Sequence, residues 1–155
     1  MQIEEMTVGE CRSIMARTHV ARLACALHNQ PYVVPIHMAF DGVSIYGHSA
    51  LGQKIQWMRQ NPLVCLEIDE LVDNSKWESV VVFGNYEELL PTAEYEGSRR
   101  EAERLFQKRA IWWEPASVPL AGREPRPSVV FLIHPHRFSG RRAVPDPVRS
   151  WKALA

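Results

Sequence analysis

At 155 residues, with 46% hydrophobic and 23% charged residues, the chain has ordinary globular composition, long enough for one domain with a sizeable core and unlike a disordered or fibrous chain. Lys and Arg balance Asp and Glu at 18 each, which removes any bulk electrostatic pull towards nucleic acid or an anionic membrane. The start "MQIEEMTVGECRS" carries acids and no signal-like apolar run, and no later stretch approaches the roughly 18 apolar residues of a membrane span, so a soluble cytoplasmic protein without nucleic-acid or membrane partners is expected.

The first periodic segment predicts a helix from about Thr7 to Arg17, with Thr7 as its cap and Cys11, Ile14 and Met15 on one face. Three strands follow, "ARLACAL", "YVVPIHMAF" and "VSIYGHS", separated by "HNQP" and by a two-residue turn at Asp41-Gly42. A helix from about Leu51 to Gln60 carries Leu51, Ile55 and Met58 at helical spacing and is closed by Asn61-Pro62. The strands then resume as "LVCLEID" and "ESVVVFGNYEEL", rich in β-branched and aromatic residues, with Gly84 a candidate bulge or bend.

Thr92 is placed to cap a charged helix running to about Arg109. The proline-rich stretch "IWWEPASVPLAGREPRP" reads as an ordered surface loop, "SVVFLIHP" as the last strand, and the residues after Gly140 as a basic, mobile tail. Cys11, Cys25 and Cys65 are odd in number and widely spaced, which offers neither a disulfide framework nor a CxxC site and leaves buried reduced thiols. The fold expected is mainly β with peripheral helices: a six-stranded antiparallel barrel over about residues 20–138 within a single domain of residues 1–155, and a tail from about 140.

A two-residue turn at Asp41-Gly42 would pair Phe40 with Val43, Met38 with Ile45, His37 with Tyr46, and Pro35 with His48. Side chains then sort by parity. Ile36, Met38, Phe40, Val43 and Ile45 share one face and suit a core, whereas Pro35, His37, Tyr46 and His48 share the other. That second face is polar yet rich in rings, and Pro35 removes a ladder donor beside it, which makes it a natural ligand seat. Downstream, Ser49, Gly52 and Lys54 gather a hydroxyl, a close backbone approach and a cation at a helix start, a set that suits a phosphate. The plainer alternative is that Ser49 only caps the helix and Lys54 is a solvated charge.

"PYVVPIHMAFDGVSIYGHSALGQKIQWMRQNPLVCLEID", then "WESVVVFGNYEEL" and "FSGRRA", resembles the pyridoxamine 5'-phosphate oxidase-like proteins with the FMN-binding split barrel, and looks closest to their nitroimidazole-resistance (NimA-like) branch. The resemblance implies a homodimer with two FMN molecules in clefts at its interface. By position, Val34, Pro35, Ile36 and His37 would line the isoalloxazine, His48 and Ser49 would stand near the ribityl chain and phosphate, and Lys54 would meet the phosphate. Trp77, Glu78 and Ser79 would come from the partner chain. The oxidase's paired Arg-Lys reads Gln53-Lys54 here, and its C-terminal substrate residues have no counterpart in "RRAVPDPVRSWKALA". Vitamin B6 oxidation is therefore not expected, and Arg141 and Arg142 are left as contacts to substrate or cofactor.

The activity implied is electron or hydride transfer from reduced FMN to a small electrophile such as a nitroaromatic, with NADH or NADPH as electron donor and His48, or His37, supplying a proton or positioning the acceptor. Trp112 and Trp113 either stack on flavin or substrate or pack the loop against the barrel. Two alternatives stand beside this. One is haem handling, to which His134 and His136 on one side of an extended strand would contribute, although a pair alone makes no metal site; the other is a non-catalytic flavin carrier or sensor.

Overall fold

The computed structural model describes residues 1–108 and 127–145. In chain order these form β1 (Gln2–Met6), α1 (Val8–Arg17), β2 (Val20–Leu27), β3 (Gln30–Phe40), β4 (Ile45–Ala50), α2 (Gln53–Gln60), β5 (Leu63–Asp73), β6 (Lys76–Glu88), a single 3-10 turn (Ala93–Tyr95), α3 (Glu96–Gln107) and β7 (Ser128–Val144). The sheet runs β1-β7-β4-β3-β2-β5-β6, and a further β6–β7 pairing closes the last six strands into a ring. Every pairing is antiparallel. This is the split barrel expected, with β1 as a seventh strand that the sequence patterning did not reveal.

Alternation builds the interior. Leu23 and Cys25 of β2, Ile36, Met38 and Phe40 of β3, Ile45 of β4, Leu66 and Ile68 of β5, and Val80 and Val82 of β6 turn into one buried cluster. Cys11, Ile14 and Met15 of α1 and Ile55 and Met58 of α2 join it, because helical spacing gathers each set on one stripe. All three thiols are free, and burial raises the pKa of each.

The two tight turns exchange the lengths expected of them. His28 and Asn29, at φ 49° and 63°, form a two-residue hairpin loop between paired Leu27 and Gln30. At Asp41-Gly42 the loop is longer, since Phe40 pairs with Ile45, Ala39 with Tyr46, and Met38 with Gly47. The Asp41 carboxylate accepts from the Val43 and Ser44 amides at 2.7 Å each, and Gly42 takes φ +98°. The register therefore slips by two residues, an even number, so the faces keep their parity. Val43 alone leaves the expected core; it sits in the turn, 74% exposed.

β7 is the second departure. It extends through Val144 rather than ending at Pro135, and residues 141–144 pair with β1, so that part of the expected tail is strand. Its register against β6 shifts at Gly84, with Phe83 opposite Arg137 and Gly84 opposite Pro135, leaving His136 as the extra residue of a bulge. The inward set consequently changes from Phe131 and Ile133 to Phe138. Thr92 does not cap α3 through its side chain; a 3-10 turn intervenes, with the Tyr95 amide bonded to the Thr92 carbonyl. Trp112, Trp113 and the residues after Pro145 lie outside the described residues. No described helix is long and apolar enough to cross a membrane.

Candidate functional site

The outer face of β3, β4 and β7 carries α3. Ala102, Leu105 and Phe106, at helical spacing, cover Ala39, Tyr46, Leu89 and Leu132 in a second apolar cluster. Arg99, one turn earlier, donates to the Leu89 carbonyl at 2.6 Å and anchors the helix. The ring-rich face seen in the sequence is thus divided. Tyr46 is buried beneath α3, where burial first and then the Asp41 charge push its pKa to about 12. His37 and His48 stay beside the helix, facing a cavity.

That cavity holds about 920 Å³ and is walled by His37, His48, Phe106, Arg99, Ser128 and Val130, among others. The volume is in the range of small-molecule and cofactor sites. Phe106 stands 5.4 Å from the His37 ring and 6.2 Å from the His48 ring, both tilted, so three rings share one wall. His37 is 4% exposed. His48 keeps an open edge, yet crowding around its imidazole lowers its pKa, which favours the neutral ring at pH 7. Its Nε2 is hydrogen-bonded to Ser128 Oγ at 2.6 Å.

At the β4–α2 join, Gly52 is the N-cap and offers no side-chain bond to the first turn of α2. Ser49 does not cap it either; its hydroxyl donates to the Ala50 carbonyl at 2.8 Å. The amides at this helix start are therefore left open to an outside acceptor. Lys54 is half-buried there, with its pKa drawn down by burial and raised in smaller part by its charge interaction with Cys25.

Residues 7–142 match the pyridoxamine 5'-phosphate oxidase family. The chain belongs to that family. An uncharacterised Rhizobium meliloti protein is 39% identical over 146 residues, spanning 92% of this chain and 97% of its own. A Mesorhizobium loti protein solved as FAD-binding is 36% identical, with 94% of this chain and 99% of that one covered and a TM-score of 0.78. A candidate 5-nitroimidazole antibiotic resistance protein from Bacteroides thetaiotaomicron, 17% identical over 92% of this chain and 89% of its own, shares the fold at a TM-score of 0.65.

The residues that the pyridoxamine 5'-phosphate oxidase resemblance brought forward do not all meet in one chain. His37 and His48 share the cavity. Val34 and Ile36 alternate inward against the core, while Pro35 is exposed on the outer face. Ser49 and Lys54 lie at the α2 start and are not among the described residues lining the cavity. Trp77 is half-buried opposite Leu71 on the β5–β6 hairpin; Glu78 accepts from Arg17 at 3.3 Å, and the Ser79 hydroxyl lies 3.3 Å from the Glu67 carboxylate. Arg141 donates to Glu5 at 2.6 Å and Arg142 to Glu10 at 2.7 Å, ion pairs that fasten β1 and α1 to β7. His134 is bonded to Glu87 at 2.5 Å, and no described group of three or more His, Cys, Asp or Glu residues could hold a metal.

Phe106 and Ser128 were missed. Phe106 had a signal, the apolar spacing with Ala102 and Leu105. Ser128 had none, since its place beside His48 arises from β4–β7 pairing, with Ala50 opposite Ser128.

Proposed function

We propose that the chain binds a flavin nucleotide, FMN in the first instance, and acts as an oxidoreductase that passes electrons or hydride from reduced flavin to a small electrophile such as a nitroaromatic. The observation that carries this is the cavity of about 920 Å³ in which two histidines face Phe106. The donor chemistry fits in two parts: the cavity supplies rings for a planar heterocycle, and beyond its lining the open helix-start amides and Lys54 offer donors for a phosphate. The Mesorhizobium loti relative solved as FAD-binding supports a flavin and makes FAD the natural competitor of FMN.

A bound flavin would supply the electron transfer itself. The chain's residues bind, orient and manage the proton. His48, neutral near pH 7 and open to the cavity, is the proposed proton donor and acceptor, with His37 lining the same wall. A homodimer completes the reading, with Trp77, Glu78 and Ser79 of one copy near the flavin of the other. Leu71 and Val72, each 69% exposed on the hairpin that carries Trp77, support it.

Absorbance of the purified protein, followed by extraction and chromatography against FMN and FAD standards, tests the first claim. A colourless protein that ignores both nucleotides overturns it. Reduction of the loaded protein by NADH or NADPH and reoxidation by a nitro compound tests the second; a flavin that reduces but is not reoxidised marks a carrier or sensor.

A further inference from the structure

His48 is held from two sides. α3 sets Phe106 against one side of its ring at 6.2 Å between centroids, and β7 sets Ser128 Oγ at 2.6 Å from Nε2. The strand register places the two side chains side by side. His48 pairs with Val130 and Ala50 with Ser128, so Ser128 is a diagonal neighbour on the same outer face. The Leu51 amide donates to the Pro127 carbonyl at 2.8 Å and clamps the end of the pair.

The other charged or titratable groups around this cavity are His37 from β3 and Glu96, Arg99, Arg100 and Glu103 from α3. Each acid and each arginine has an engagement elsewhere: Arg100 pairs with Glu96, Arg99 bonds the Leu89 carbonyl, and Glu103 lies 3.4 Å from the Gln107 amide. Among the described residues no carboxylate is hydrogen-bonded to His48. A hydroxyl is a particular kind of partner. It can donate to a bare ring nitrogen or accept from a protonated one, whereas a carbonyl can only accept and an ammonium can only donate.

We propose that Ser128 is the positioning residue of His48, keeping the imidazole in one orientation in both its neutral and its charged form so that the ring can exchange a proton with a ligand in the cavity without turning. The claim about the ring stands on the protein alone, and its consequence for turnover rests on the flavoprotein reading above. The lowered pKa of His48 agrees with a ring that is neutral at rest.

The test is imidazole-nitrogen NMR of histidine-labelled protein without added flavin, from about pH 5 to 9 across the histidine range, with the His48 signals assigned through His48→Gln. The wild type should show one ring orientation on both sides of its titration, read from proton contacts between the His48 and Phe106 rings. Ser128→Ala should show those contacts averaged over more than one orientation and a His48 titration moved down, since the hydroxyl's bond to the charged ring is the stronger one, and Ser128→Thr, which keeps the hydroxyl, should restore both. In flavin-loaded protein, Ser128→Ala should lower kcat for the nitro compound about tenfold with KM little changed, the size seen when a supporting hydrogen bond is lost, and should move the limb of the pH profile that follows His48. If Ser128→Ala leaves the ring orientation and titration of His48 unchanged and lowers only the melting temperature, the hydroxyl is merely structural and the proposal is overturned. Absence of flavin binding would sink the flavoprotein reading alone, since the NMR result is decided without it.

Discussion

Gly47 shows at single-residue scale how a missing side chain shapes the barrel. It lies on the inward parity of β4, opposite Met38 and Phe131, and a Cβ built there would come within 2.1 Å of the Phe131 ring. Phe131 is fully buried and its ring packs 5.4 Å from that of Tyr86. Gly47→Ala is therefore expected to destabilise the fold by about 2 kcal/mol, in the range for overpacking a filled core, measured as a fall in the urea midpoint with unchanged slope. Lys54 is the opposite case, a half-buried cation at a helix start that takes no part in the core cluster. Lys54→Ala should weaken flavin binding about tenfold, or about 1.4 kcal/mol, with little change in melting temperature; a titration of flavin fluorescence that shows the same affinity would remove Lys54 from the phosphate seat.

At the scale of elements, local chemistry decides where chains start and stop, and tertiary pairing decides how far they run. α1 begins where Thr7 says it should. The Thr7 amide donates to Glu10 Oε2 at 2.7 Å and the Glu10 amide to Thr7 Oγ1 at 3.3 Å, a reciprocal cap legible in "TVGE". Thr7→Ala should lower stability by about 1 kcal/mol, the usual loss for an N-cap, with the loss appearing in thermal unfolding followed by circular dichroism. β7 gives the contrast. Pro135 and the basic "GRRAV" argue against a continuing strand, yet the bulge at His136 absorbs the proline, and β1 and β6 pair with the residues beyond. The residues beyond the bulge are stabilised by partners more than 50 residues away, which no local window contains.

For the molecule as a whole, the sharpest prediction concerns assembly. The β5–β6 hairpin presents Leu71 and Val72 to solvent at its tip, an exposure a lone barrel does not need. Leu71→Asp with Val72→Asp should convert the proposed homodimer to a monomer in light scattering after gel filtration and lower flavin content, with the far-ultraviolet spectrum unchanged; a variant that remains dimeric would move the interface elsewhere. Much of the architecture was already written in the chain. Alternation in β2 to β6, the helical stripes of α1 and α2 and the turn residues depend on near neighbours, so the strands, their inward faces and even the parity of His37 and His48 followed from sequence alone. Only the tertiary structure decided the length of the 41–44 turn, the bulge, the addition of β1, the covering of Tyr46 by α3 and the meeting of His48 with Ser128 across 80 residues. The bulge, the addition of β1 and the His48–Ser128 contact are set by long-range pairing that leaves no periodic trace in the sequence. The 41–44 turn is set by Asp41 bonding nearby amides, and the apolar stripe of α3 does not by itself name the face it covers.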